Sequence, residues 1–159
     1  MSHAMHRQLP ENRADFMLHI RCTKGVNSDG AGTKLKSIIH MLKDLHPVAY
    51  GNPTNGCSLR ESPDQILEAI SNGSNLHVTF ADLQTTYKAL KVLQEMDSGL
   101  SVSIAGPLEQ VFIMAVDLGM SPDSVLLDLG VFGRDPGMER YVAEVVSLCG
   151  HMRVSPVLV

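Results

Sequence analysis

Residues 25–34, GVNSDGAGTK, have the composition of a loop that binds an anion. They lie between an alternating apolar stretch and a helical pattern, so their backbone N–H groups would gather at a helix N-terminus, where anions bind favourably. Gly25 and Gly30 have the spacing of the two glycines of a P-loop, G-x-x-x-x-G-K-[ST]. Thr33 and Lys34 do not directly follow Gly30, however, so the hydroxyl and amine that hold magnesium and phosphate in a P-loop are out of position.

Two interpretations of this loop remain open. In the first, backbone N–H groups and small side chains form a generic anion site, with Asp29 as a negative charge beside it. The residues of that site are Gly30, Gly32, Thr33 and Lys34. In the second, Asp29 and Gly30 make a tight turn, and Thr33 is the N-cap of the helix that follows. The first interpretation predicts a ligand, whereas the second predicts only local structure.

Cysteine chemistry is a second candidate. The chain has three cysteines, an odd number at wide spacing, which is typical of free thiols in a reducing compartment rather than of a disulfide framework. Cys57 lies in a polar segment, and Cys22 ends the first predicted strand at the same edge of the predicted sheet. The two would form a redox pair there, or bind a metal together with a distant histidine. No C-x-x-C or H-x-x-x-H pair is present, so the sequence predicts no self-contained metal site.

A carboxylate within an apolar stretch is the leading candidate for catalysis. Asp128 lies in VLLDLG near the end of a predicted strand, where an acid must find a partner or have a raised pKa. It would serve as a general base or a ligand-binding carboxylate. Arg134 follows in the same loop and would pair with Asp128 or bind an anionic substrate. Other polar residues at predicted strand exits are Asn52, Asn55 and Asp82, and Asp82 is equally explained as a helix N-cap.

An alternation of strands and helices must position these candidates. Residues 16–21 alternate apolar and polar side chains, with Met17, His19 and Arg21 on the polar side, and residues 76–81, 100–105 and 124–130 have similar strand patterns. Helical patterns lie between them, and a last helix from Asp135 precedes a final strand near residue 152. The strands recur about every 25 residues, the spacing of βαβ units. The sequence therefore predicts a three-layer α/β/α fold with a mostly parallel, Rossmann-like sheet of about five or six strands.

Such a sheet would bring the candidates together. Open parallel sheets bind ligands at the carboxyl ends of their strands, and the loops after the predicted strands carry glycine and small polar side chains. These loops would present backbone N–H groups to an anion. We expect a small-molecule site at this edge, and the sequence does not identify a cofactor.

Composition limits the remaining partners. The formal net charge of −4 and the absence of Trp argue against a nucleic-acid-binding surface, which needs clustered Lys and Arg and stacking aromatics. No apolar run has the ~20 residues that cross a bilayer. Residues 1–14 are expected to be a disordered segment or an expression remnant, followed by a single α/β domain at residues 15–159.

The leading functional hypothesis is a cytoplasmic α/β domain that binds a small anionic or phosphorylated metabolite, including a nucleotide, at the strand-exit loops. The alternative is a cysteine-based redox or metal-binding protein that uses Cys57 with Cys22. A third hypothesis is a non-catalytic subunit of an oligomer. It rests on a predicted helix that contains Val111 and Leu118, is apolar almost all round, and would pair two copies in a homodimer. Whether the protein is an enzyme is not predicted.

Overall fold

Five strands and four helices make up the part of the chain that this computed structural model describes, residues 15–52 and 56–120. The strands are β1 (Phe16–Arg21), β2 (Ala49–Asn52), β3 (Gly56–Cys57), β4 (Asn75–Phe80) and β5 (Ser101–Ala105). The helices are α1 (Ala31–Lys43), α2 (Pro63–Ala69), α3 (Leu83–Met96) and α4 (Leu108–Asp117). The predicted strand at residues 124–130, the helix from Asp135 and the final strand near residue 152 lie outside the described residues.

The strands form one sheet in the order β3-β2-β4-β1-β5, and every neighbouring pair is antiparallel. The prediction of a mostly parallel, Rossmann-like sheet is therefore wrong. The strand and helix assignments behind it are nevertheless confirmed for β1, β4, β5 and the helices that follow them. The error lies in which strands are neighbours.

The sheet is antiparallel because its βαβ units are split. β1 and β2, joined by α1, run in the same direction, but β4 lies between them and runs in the opposite direction. In the same way, β4 and β5 are joined by α3 and are separated by β1. This is the split βαβ arrangement, with β3 and α2 added between β2 and β4. Strand–helix periodicity is identical in the split and adjacent arrangements, so periodicity alone does not distinguish them.

One face of the sheet forms the hydrophobic core. Phe16, Leu18 and Ile20 of β1 are fully buried there, and the β1–β4 register places Leu76, Val78 and Phe80 beside them. All four helices contribute to this one cluster, so in the described residues the helices pack on the same face and make two layers rather than the predicted three. The core residues within the helices are Leu35, Ile38, Ile39, Leu42, Ile66, Ala89, Leu90, Leu93 and Met114, and Ile70, the C-cap of α2, joins them.

Two helix starts follow directly from the sequence. Ser62 and Gln65 form a reciprocal capping box at the start of α2, with Pro63 as the first helical residue. Asp82 is the N-cap of α3, and its carboxylate accepts a hydrogen bond from the Thr85 N–H at 2.7 Å. None of the helices in the described ranges is long and apolar enough to cross a membrane.

Replacing Asp82 with alanine removes this cap and should lower the free energy of unfolding by ~1 kcal/mol at neutral pH. The hydrogen bond from the Thr85 backbone N–H is the main reason that the pKa of Asp82 lies below its ordinary value. Because the folded-state pKa is lowered, the stabilisation is complete above the unfolded-state pKa of about 3.9 and is lost as pH falls through the folded-state pKa. Urea unfolding of Asp82→Ala and the wild type should therefore converge in acid.

The matched control is Asp44→Ala. Asp44 is the C-cap of α1, where a negative charge lies near the negative end of the helix, so its removal should not destabilise the protein. An equal loss of stability in both variants would contradict the capping role of Asp82.

Candidate functional site

The antiparallel sheet divides the predicted loop site between two ends. β1 and β2 both finish at the end that carries Gly30, whereas β4 finishes beside the first residue of β1, since Phe80 is opposite Phe16. Gly30, Lys34 and Asn52 thus lie near one end of the sheet, and Asp82 lies at the other, about 20 Å away for a six-residue strand. The structure does not bring Asp82 together with the glycine-rich loop.

The helix N-terminus in the glycine-rich loop already has internal hydrogen-bond partners. The N-cap of α1 is Gly30, in the left-handed conformation with φ 69°, so the prediction of Thr33 as N-cap is wrong. The Ala31 N–H donates to the Ser28 carbonyl at 3.2 Å, and the Lys34 N–H donates to the Gly30 carbonyl at 3.2 Å. These amides are therefore engaged within the loop and would have to leave their acceptors to bind an anion.

Gly32 and Asn72 explain why the loop is rich in glycine. The Gly32 N–H donates to Asn72 Oδ1 at 2.9 Å, and a Cβ at Gly32 would lie 2.9 Å from the carbonyl carbon of Ser71. Only glycine permits this close approach of the first turn of α1 to the loop before β4. On the other side, the Asn27 side chain donates to the Gly99 carbonyl at 2.6 Å and fixes the loop to the start of β5.

An open cleft of about 290 Å³ remains beside this loop, lined by residues 25–29, Lys34 and Gly99. Its charged side chains are Asp29 and Lys34, one of each sign, so it carries no net positive charge for an anion. Thr33 is exposed. These contacts account for the turn without a ligand, and anion binding at Gly30, Gly32, Thr33 and Lys34 stays a prediction.

The two candidate cysteines lie on separate parts of the sheet. Cys57 is on β3 and Cys22 directly follows β1, and β2 and β4 lie between those strands. Three strand spacings amount to about 14 Å, well beyond the Cα separation of a disulfide. The Cys22 thiol instead donates to the Asn72 carbonyl at 2.9 Å, and the Cys57 backbone N–H donates to Glu61 Oε2 at 2.6 Å. Within residues 15–52 and 56–120, no three His, Cys, Asp or Glu side chains form a group that could hold a metal ion.

Three of the predicted site residues lie outside the described residues. They are Asn55, Asp128 and Arg134.

A different cluster lies on the face of the sheet opposite the core. Arg21 is directly opposite Asn75 of β4 and Ser101 of β5, and His19 is directly opposite His77 and Ser103. These residues occupy two adjacent rows across three strands, and we refer to them as the polar sheet face. Its residues are His19, Arg21, Asn75, His77, Ser101 and Ser103.

The two histidines of the polar sheet face are in contact. Their ring centroids are 4.4 Å apart and their planes are inclined at 82°, an edge-to-face arrangement. Both residues are half-buried. Burial lowers the pKa of His77 below its ordinary value of 6.5, so this imidazole is neutral at pH 7, with one nitrogen as donor and the other as acceptor.

Arg21 is a positive charge whose neighbours in the sheet are neutral. Its Nε is buried and has no hydrogen-bond acceptor. The residues directly opposite Arg21 are Asn75 and Ser101, and neither carries a carboxylate. A buried donor without an acceptor costs about 1–3 kcal/mol, and a guanidinium stays charged at every physiological pH. An anion that accepts from Arg21 would supply the missing acceptor and would also neutralise the positive charge.

Comparison of the chain with protein-family models, with curated proteins and with solved structures gave no match.

The sequence indicated part of the polar sheet face. The alternation of β1 places His19 and Arg21 on its polar side, and His77 has the same position in β4. The alternation does not indicate the register between β1 and β4. Only the antiparallel pairing of β1 with β4 places His19 opposite His77.

The predicted apolar helix, α4, is apolar on two opposite sides. Met114 is buried in the core, and Val111 and Leu118 pack against it. The residues on the opposite side lie three to five residues apart along the helix and are exposed to solvent. They are Leu108, Phe112, Ile113 and Val116.

Replacing Asn72 with alanine tests the structural role of the glycine-rich loop. The change leaves the buried Gly32 N–H without its acceptor and should cost about 1–2 kcal/mol of unfolding free energy. Asn72→Asp is the matched variant, because it keeps an oxygen acceptor and adds a negative charge near the helix N-terminus, where it is favourable. Chemical unfolding should rank Asn72→Ala below both Asn72→Asp and the wild type. Equal stability of the alanine variant would mean that water replaces the Asn72 side chain.

Proposed function

We propose that this protein binds a small anionic ligand, a carboxylate or a phosphate, on the polar sheet face, with Arg21 as its cationic group. The observation that carries the proposal is the buried Nε of Arg21, which has no hydrogen-bond acceptor. The residues directly opposite Arg21 on both neighbouring strands are neutral. Arg21 as a whole is only half-buried, but buried polar atoms are normally hydrogen-bonded, so its buried Nε–H calls for an acceptor.

The surroundings of Arg21 suit an anion in two ways. A guanidinium is planar and matches the two oxygens of a carboxylate or phosphate, which makes bidentate charge-assisted hydrogen bonds favourable. The adjacent side chains, Asn75 and Ser101, add neutral donors at positions fixed by paired strands. A site built on strands holds its groups more precisely than one built on loops.

The ligand class is the one expected from the sequence, but the proposed location differs. At the glycine-rich loop, the N–H groups of Ala31, Gly32 and Lys34 already have acceptors. The cation there, Lys34, shares its cleft with Asp29. Among the described residues directly opposite Arg21 in the sheet, none has a carboxylate that would compete with an anion for the guanidinium.

The experiment is an NMR titration of the full chain with inorganic phosphate and, separately, with acetate. Saturable shifts are expected for the Arg21 Nε–H and for the ring protons of His19 and His77. Arg21→Gln should weaken binding by about 10- to 100-fold, the effect of losing one hydrogen bond to a charged group. Arg21→Lys should retain part of the affinity, because it keeps the charge and loses the bidentate geometry.

Lys34→Gln is the matched control, since it removes one positive charge from the glycine-rich loop instead. It should leave the titration unchanged. The reverse result, in which Lys34→Gln abolishes binding and Arg21→Gln does not, would place the anion at the loop and overturn the proposal. Thermal unfolding of each variant establishes that it is folded.

A second role, as a subunit that pairs with another copy of this chain, is favoured by the exposed apolar side of α4. Leu108, Phe112 and Val116 recur every four residues, as in helices that pack against a partner helix. Exposed apolar surface of this kind marks association sites in many proteins.

Light scattering across a range of protein concentrations tests this second role. We expect the mass of two chains at high concentration, and Val116→Asp should shift the equilibrium to one chain. Leu59→Asp is the matched control, because Leu59 and Val116 are both 70% exposed and Leu59 is remote from α4 in sequence. A single-chain mass at all concentrations, or an equal effect of both substitutions, would exclude pairing through α4.

A further inference from the structure

We propose that the ligand of the polar sheet face is a short dicarboxylate, with one carboxylate on Arg21 and the other on the His19–His77 pair. This inference rests on the anion-binding function proposed for Arg21. It adds the ligand's second charged group and the protein groups that receive it.

The spacing of the two anchors is set by the strand. Arg21 and His19 are two residues apart in β1 and therefore on the same face, about 7 Å apart along the strand. Asn75 and His77 repeat that spacing in β4, opposite the first pair. A single carboxylate or phosphate spans only one of these rows. A molecule with two carboxylates joined by a short carbon chain spans both.

The histidine pair supplies the second charge by taking up a proton. His77 is neutral without ligand because burial disfavours its charged form. A carboxylate brought against the pair stabilises an imidazolium, so one proton moves from solvent to an imidazole nitrogen as the ligand binds. The bound state then contains two carboxylates against one guanidinium and one imidazolium, and the charges balance.

The other titratable groups on this face of the described sheet are few. β1 carries none besides Arg21 and His19. Asp15 lies before the start of the strand, four residues from His19. Cys57 of β3 is in the same row as His77, with Gly51 of β2 between them. The described residues of β2 and β5 add no charged side chain to this face.

Proton uptake on binding makes the affinity for the ligand depend on pH in one direction. Ligand binding raises the pKa of the histidine pair, so affinity increases as pH falls and levels off below the ligand-free pKa. For one proton, the affinity gains up to about tenfold per pH unit over this window. The ordinary histidine pKa of 6.5 is the upper limit of the ligand-free value for His77, since burial lowers it. The gain should therefore continue to below pH 6.5.

Calorimetry on the full chain tests the inference with acetate, malonate, succinate, glutarate and inorganic phosphate as probes. Each titration is made at two pH values, above and below neutrality, in buffers of different ionisation enthalpy, so that proton uptake is measured directly. We expect succinate or glutarate to bind at least about tenfold more tightly than acetate at the lower pH, with uptake of about one proton. His77→Gln should lose both the preference and the proton uptake. His40→Gln, an exposed histidine on α1, should change neither.

The outcomes separate this inference from the proposed function. If acetate binds as tightly as the dicarboxylates, or if phosphate binds more tightly without proton uptake, the dicarboxylate assignment is wrong and anion binding at Arg21 stands. If the wild type binds none of the five probes, the anion-binding function itself is wrong. Proton uptake is measured on the wild type, so the result does not depend on the folding of a variant.

Discussion

The antiparallel pairing of β1 with β4 is the interaction on which the other features depend. Six residue pairs form it, from Phe16 opposite Phe80 to Arg21 opposite Asn75. Because side chains alternate along a strand, this register decides which residues share each face. The apolar residues of both strands meet in the core, and the histidines of both strands meet on the opposite face. A slip of one residue would exchange the two faces.

Core burial maintains this register. Each fully buried Leu, Ile or Phe contributes about 1.5–3 kcal/mol relative to an exposed position, and β1 and β4 together bury six apolar side chains. A register that turned them to the other face would forfeit most of that free energy. The contact between His19 and His77 therefore follows from the packing of residues on the other side of the sheet. Because core burial on the other face fixes the register of β1, Arg21 is held in place although its buried Nε lacks an acceptor.

The glycine-rich loop shows how a pattern typical of an anion site can also have a structural cause. Its glycines permit the left-handed start of α1 and the close approach of Gly32 to Ser71. Its polar side chains bind neighbouring backbone, as Asn27 does at Gly99. A phosphate loop and this turn share small residues and a helix start, but a phosphate loop leaves its N–H groups directed at a ligand. The composition of residues 25–34 does not distinguish them, because the N–H groups of Ala31 and Lys34 have acceptors within the loop, whereas the acceptor of Gly32 is Asn72, 40 residues away.

The sequence by itself determined several local elements of this protein, although not the N-cap of α1. Alternation identified β1 and β4, a capping box located the start of α2, and Asp82 marked the start of α3, because these signals depend on side chains within a few residues of one another. Only the tertiary structure decided that β4 lies between β1 and β2, and with it the antiparallel sheet, the two ends of the sheet and the contact of His19 with His77. The physical reason is that strand adjacency is chosen by the burial of many side chains at once, over separations of about 60 residues between β1 and β4.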